Sequence, residues 1–263
     1  MAESPSSFDL RVAGIARSGA LRLALFPSFF YRRDTNNGEP RGIGIEVARS
    51  LAERIGVALK PVEYPSPPKV VEALTTAAAD VALLGIDPAR GAEVEFSPPL
   101  LAAEFTYLVP EASAARAIAD ADRPGIRIAL VRHHAMDTAL RGKLNAATAV
   151  CADTPDAAFE LLRTGAADVL AGIRPGLLMY AGLLPGSRVL DDCYGRNVIA
   201  LAVKKGEAGW LSYVSAFAAT AGADGTVERA IASAGLRGIE AGKDGVCVRG
   251  EPVNATLVPT QQR

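Results

Sequence analysis

Two stretches of this chain repeat one alternation of short apolar runs and helically spaced apolar positions, and that repeat restricts the fold more than any other feature. In the first stretch, Leu21-Arg22-Leu23-Ala24-Leu25 reads as a strand that ends before the turn-forming Pro27-Ser28. Ile45, Val47, Ala48, Leu51, Ala52 and Ile55 then recur at helical spacing until Gly56 stops the helix. Val57 to Tyr64 reads as a second strand, Pro65 to Pro68 as a loop, Lys69 to Ala78 as a helix, and Asp80 to Leu84 as a buried third strand. In the second stretch the strands are Ile126 to Val131, Ala149 to Cys151 and Ala167 to Ala171, with helices Ala135 to Leu144 and Pro155 to Arg163, the latter capped by Asp153 or Thr154. This order predicts an α/β protein of two similar lobes, each a mostly parallel sheet flanked by helices, with ligand crevices at the carboxyl ends of the strands.

Two extended runs, Glu104 to Pro110 and Asn197 to Val203, are placed to cross from one lobe to the other and back. The first lobe is then discontinuous and is completed by the amphipathic helices Trp210 to Ala221 and Thr226 to Ala234. The expected division is an N-terminal extension at 1–19, lobe 1 at 20–107 with 202–240, lobe 2 at 108–201, and a loose tail at 241–263.

Composition narrows the function classes. The 28 Lys plus Arg against 29 Asp plus Glu leave a net charge of −1, which argues against nucleic-acid binding through a basic face. No run approaches the roughly 18 apolar residues that span a bilayer. The first twenty residues carry Glu3, Asp9 and Arg11 where an export signal has a basic start and an apolar stretch, so no signal is visible and a cytoplasmic location stays open. Cys151, Cys193 and Cys247 have no metal-ligand spacing, and a Cys151–Cys193 bridge is open in an oxidising compartment. Neither G-x-S-x-G nor G-x-x-x-x-G-K-[ST] occurs, which removes serine-hydrolase and phosphate-loop readings.

Four segments carry a resemblance. Gly38 to Ala48 (GEPRGIGIEVA) forms a turn and helix start, and Ile86-Asp87-Pro88-Ala89-Arg90 is a loop ending in arginine. Val94 to Pro99 (VEFSPP) and Asp224 to Glu228 (DGTVE) follow in order. Together they resemble the family 3 solute-binding proteins, the receptors of polar amino-acid ABC importers, over roughly Ala20 to Gly238. The resemblance implies the two-lobed periplasmic-binding-protein (Venus flytrap) fold of type II, a small-molecule ligand, an ABC permease and ATPase as partners, a monomer, a periplasmic location, and no cofactor, metal or catalysis.

The resemblance also implies site residues. Arg90 matches the arginine that holds the ligand carboxylate with its planar donor fork, although Asp87 stands where the family has threonine. Gly85 and Ile86 would lie beside the same anion, since glycine permits close approach. Phe26, Phe29, Phe30 and Tyr31 follow the first strand, where the family places aromatic and polar residues that cover the ligand side chain, with Phe29 expected as the wall; the bland alternative is that two of the four are core. Arg132, His133 and His134 fall between a strand and a helix, where free backbone N–H groups favour anions, although loop histidines need no such role. Ile173, with Arg174 beside it, replaces the acid that holds the ammonium group in amino-acid receptors. The expected ligand is therefore a carboxylate without an α-amino group, clamped by Arg90 and Arg174. Two alternatives are a cyclohexadienyl-dehydratase-like lyase, for which Glu104 and Asp137 are the candidate acids, and a stand-alone sensing domain.

Overall fold

The computed structural model describes residues 7–28, 30–34, 38–132, 135–140 and 143–242. These fall into two compact units: one runs to Ala102 and resumes at Val198, and the other runs from Ala103 to Asn197.

In the first unit, strand Ala20–Leu25 lies parallel between Ala58–Glu63 and Val81–Gly85. Strand Gly195–Lys204 adds antiparallel, with Ile199 opposite Gly85 and Ala202 opposite Ala82. The central strand Val81–Gly85 is apolar at every position because helices cover both faces, and Val81, Ala82 and Leu84 are fully buried. Helix Pro67–Thr75 contributes Val70, Val71, Ala73 and Leu74 to one core cluster with Ala24, Ala82, Leu84 and Ala202. Helix Ile43–Ile55 buries the apolar stripe that its spacing announces and ends on Gly56 in the left-handed region. Its entry turn depends on Gly42, at φ 126°, where a Cβ would stand 2.5 Å from the Phe30 carbonyl oxygen. Helices Ala208–Ala223 and Thr226–Ala234 complete this unit, and Trp210 is fully buried with its indole N–H donating to the Asp80 carbonyl at 2.9 Å.

The second unit repeats the topology. Strand Arg127–Val131 lies parallel between Thr148–Ala152 and Val169–Ile173. Strand Leu101–Val109 adds antiparallel, with Phe105 opposite Ile173 and Leu108 opposite Leu170. Helix Pro155–Arg163, capped by Thr154, covers one face through Ala158, Phe159 and Leu162, which join Leu170, Leu177 and Tyr180 in a core cluster. A second cluster on Tyr107, Ile128, Leu130 and Leu140 fills the other face.

The repeat extends to side-chain chemistry. Asp80 accepts from the backbone N–H of Arg22 and from its Nε and Nη2 at 2.8, 3.0 and 2.7 Å. Asp168 accepts from the same three groups of Arg127 at 2.8, 3.0 and 2.8 Å. Each aspartate stands one residue before the third strand of its unit and ties it to the first strand.

Three differences from the sequence reading stand out. Residues Ser7–Ser18, within the supposed extension, form a helix with Ile15 buried and Arg11 paired to Asp80. Helix Arg174–Leu183 has no counterpart in the sequence reading; Pro175 is well suited to its first turn, where the missing N–H has no partner to lose. The Cys151–Cys193 bridge is not formed, since Cys151 is free and Cys193 is disulfide-bonded. Cys151 lies on the edge strand Thr148–Ala152, whereas Tyr194 donates its N–H to Phe105 on the strand at the opposite end of this unit's order. Three strand spacings, roughly 14 Å, separate them, beyond the reach of a disulfide.

Candidate functional site

Parallel strands of like direction bring their carboxyl ends to one edge, so each unit has one rim where loops can gather polar groups. In the first unit the register pairs Ala24 with Ala82, which sets Phe26, just beyond one strand, level with Leu84, next to the end of the other strand at Gly85. Arg90 sits in the short helical turn Pro88–Gly91 that follows, and its Nη1 donates to the Gly85 carbonyl at 2.8 Å. Gly85, Ile86 and Arg90 thus form one cluster. The Ile86 N–H is already donated to the Val198 carbonyl at 2.8 Å, so it is the side chain, 42% exposed, that Ile86 presents. Phe26 is half-buried and packs against the core cluster of Val70 and Leu84, so it serves partly as core. Phe29 lies outside the described residues.

The same rim holds a group that sequence reasoning missed. Glu63, last residue of strand Ala58–Glu63, accepts from the Tyr31 hydroxyl at 2.5 Å and from Arg33 Nε at 2.9 Å. Burial, reinforced by the Glu63 carboxylate, pushes the Tyr31 phenol up to about 12, so it stays a proton donor throughout the neutral range. The partners are about thirty residues apart in sequence, and no local motif signals the pairing.

In the second unit the corresponding rim carries Arg132, Asp153 and Arg174. Arg132 is half exposed, and its Nε contacts the exposed Asp153 carboxylate at 3.2 Å. Its backbone N–H donates to Ala152. Ile173 is 6% exposed and belongs to the core. Arg174, expected to face an anion, is engaged within its own unit: Nε donates to Glu104 at 2.7 Å, Nη1 to the Leu190 carbonyl at 2.8 Å, and Nη2 to the carbonyls of Asp191 and Asp192 at 2.9 and 3.2 Å. Glu104 accepts from Arg196 Nη2 as well, at 3.3 Å. Asp137 is buried, on helix Ala135–Leu140. His133 and His134 lie outside the described residues. Among the described residues no group of histidine, cysteine, aspartate and glutamate is arranged to hold a metal ion, and no helix is long and apolar enough to cross a membrane.

Chemically, the rim of the first unit offers a guanidinium, a phenol and apolar surface, and the rim of the second unit offers a guanidinium beside a carboxylate. Glu104 has both oxygens accepting from guanidinium groups, which makes it an anchor rather than a group positioned to deliver a proton.

The family model for bacterial extracellular solute-binding proteins, family 3, matches residues 23–233. No curated protein sequence matches the chain. Among solved structures, the chain is similar to the ancestral amino acid-binding protein AncCDT-1, a precursor of cyclohexadienyl dehydratase, at 25% identity and TM-score 0.69 over 85% of this chain and 98% of that one. It is also similar to a solute receptor for L-cysteine of Neisseria gonorrhoeae, at 22% identity and TM-score 0.69 over 85% and 92% of the two chains. A third is an amino acid ABC transporter substrate-binding protein from Streptococcus pneumoniae bound to L-arginine, at 21% identity and TM-score 0.69 over 86% and 98%. The fold is that of the type II periplasmic binding proteins.

Proposed function

The chain belongs to the bacterial extracellular solute-binding proteins, family 3, and on that premise we propose that it captures a small carboxylate-bearing solute for an ABC permease, with preference for an organic acid that lacks an α-amino group. The observation that carries this reading is Arg90, braced through one nitrogen on the Gly85 carbonyl beside the exposed side chain of Ile86. A guanidinium anchored at one arm is pre-oriented, which lowers the ordering cost of gripping a carboxylate with the other.

In the second unit Arg132 is an exposed guanidinium at the rim. Its pairing with Asp153 is an exposed contact of the kind that contributes little and exchanges readily. Arg174 takes the role of a brace for Glu104 and the Leu190–Asp192 backbone. The preference for an organic acid rests on Ile173, an apolar core residue at the end of its strand. The solute-binding class itself implies no chemistry on the ligand, and a lyase reading draws no support from Glu104 as it is paired.

A thermal-shift panel of L-amino acids, hydroxy acids, keto acids and dicarboxylates tests the reading directly. Organic acids are expected to raise Tm, and Arg90→Ala is expected to weaken the best of them about 10–100-fold, as loss of a charge-assisted carboxylate contact does. Arg90→Lys keeps the charge but loses the fork, so it should recover part of that loss. Stabilisation by L-amino acids alone would overturn the ligand preference, and an unchanged affinity in Arg90→Ala would overturn the site.

A further inference from the structure

Strand Leu101–Val109 contributes Tyr107 to the core cluster of Ile118, Ile128, Leu130 and Leu140, and a cavity of about 240 Å³ opens beside it. Its apolar walls are the rings of Tyr107 and Tyr194 and the side chains of Ile118, Leu140 and Leu144. All of them belong to the second unit, and none belongs to the rim of Arg132, Asp153 and Arg174. Tyr107 pairs with Ala171, two residues before the carboxyl end of strand Val169–Ile173. Lys143 and Asn145, also at the cavity, lead into the amino end of strand Thr148–Ala152. The cavity therefore lies toward the end of the sheet opposite that rim.

The floor carries polar groups that the fold does not pair. Tyr107 is 2% exposed, and its hydroxyl has no hydrogen-bond partner among the described residues. The Tyr194 ring stacks on it with centroids 4.9 Å apart, and the Tyr194 hydroxyl oxygen is likewise buried without a partner. A buried hydroxyl left unpaired is costly to a fold, so two of them beside one cavity point to a group that enters it. Burial, and then the Asp122 and Asp192 carboxylates, push the Tyr107 phenol up, so it stays neutral and can both donate and accept. Asp122 is itself a wall of the cavity, and its influence places the hydroxyl end of the Tyr107 ring on the cavity side. It accepts from the backbone N–H groups of Asn145, Ala146 and Ala147 at 2.9 Å each, which fixes the lip. Lys143 is exposed at that lip, so its positive charge acts at the opening and not at the floor.

We propose that this cavity is a second ligand site and that it takes a neutral aromatic molecule of one or two rings bearing a hydroxyl, which shares a hydrogen bond with the Tyr107 hydroxyl. Size sets the ring count: an apolar cavity of roughly 150 Å³ admits benzene, and drug-sized ligands fill roughly 300 Å³ or more. The stacked tyrosines and three aliphatic side chains supply apolar contact for a ring. A ligand hydroxyl both donates and accepts, so it meets the phenol whichever way the Tyr107 proton turns. A carboxylate at that depth would be repelled by Asp122 and Asp192, so this site and the Arg90 rim select different molecules.

The test is a backbone-amide NMR titration of the full chain with three probes: p-cresol, p-xylene, in which a methyl replaces the hydroxyl, and p-toluate, in which a carboxylate replaces it. Saturable shifts from p-cresol are expected at Ile118, Leu144 and Tyr194, with p-xylene about tenfold weaker and p-toluate weaker still. Tyr107→Phe keeps the ring and removes the hydroxyl, so it should weaken p-cresol about 5–10-fold and leave p-xylene unchanged. Leu144→Trp, with its native fold checked by the same amide spectrum, fills the cavity and should abolish binding of both. Arg90→Ala should leave p-cresol binding unchanged, and Tyr107→Phe should leave organic-acid binding unchanged, which separates failure of this site from failure of the solute reading. Absence of saturable p-cresol shifts would mean that the cavity takes water only and would overturn the proposal. Equal binding of p-cresol and p-toluate, or an unchanged p-cresol affinity in Tyr107→Phe, would overturn it as well.

Discussion

Asp80 and Asp168 do the same work at two depths, and depth sets the outcome of removing them. Asp80 is 3% exposed and holds Arg22, Arg11 and a backbone N–H, so Asp80→Ala takes the shared acceptor from that N–H and from two partly exposed guanidinium groups and should cost about 2–3 kcal/mol. Asp168, in an ion pair whose side chains are 42% and 36% exposed, should cost about 1 kcal/mol on the same change. Urea denaturation of the two variants measures the contrast, and equal losses would contradict it. The hydrogen bonds from the Arg127 side chain hold the Asp168 carboxyl below its ordinary value. A group whose pKa is depressed on folding contributes stability above its unfolded value, about 3.9, and the contribution is lost as pH falls through the lower folded value. Stability measured between pH 5 and pH 2 should therefore fall less steeply in Asp168→Asn than in wild type, with no difference in slope between pH 6 and pH 8.

Elements depend on single turn and cap positions that their own composition announces. Gly42→Ala places a side chain at φ 126° and 2.5 Å from the Phe30 carbonyl, so the turn into helix Ile43–Ile55 must shift, at a cost of about 2 kcal/mol. Thr154→Ala removes an acceptor for the Ala157 N–H at 3.2 Å and should cost about 1 kcal/mol. Circular-dichroism melts of the two variants give the order, and a Thr154→Ala loss exceeding that of Gly42→Ala would refute the strain argument. Such positions, together with apolar periodicity, are local, and for that reason strands such as Ala20–Leu25 and helices such as Ile43–Ile55 and Pro155–Arg163 were legible in the sequence. The return of Arg90 to the Gly85 carbonyl is local as well, since five residues separate them. Tyr31–Glu63 and Arg174–Glu104 were not legible: their members lie 32 and 70 residues apart, and long-range pairing leaves no mark in either neighbourhood. Without knowledge of Glu104, Arg174 read as a free guanidinium beside a strand end.

For the whole molecule, two units with separate cores and separate Arg–Asp ties need not unfold together. Asp168→Ala weakens the second unit alone, so its calorimetric trace in the absence of solute should separate into a lower transition for that unit and an unshifted one for the first. Solute held through Arg90, as proposed, binds only the folded first unit and stabilises it by RT ln(1 + [L]/Kd), about 2.7 kcal/mol at a hundredfold excess over Kd. Saturating solute should then raise the upper transition of Asp168→Ala, and adding Arg90→Ala should abolish that rise. An upper transition that saturating solute leaves in place, or one that rises equally with and without Arg90, would overturn Arg90 as the anchor.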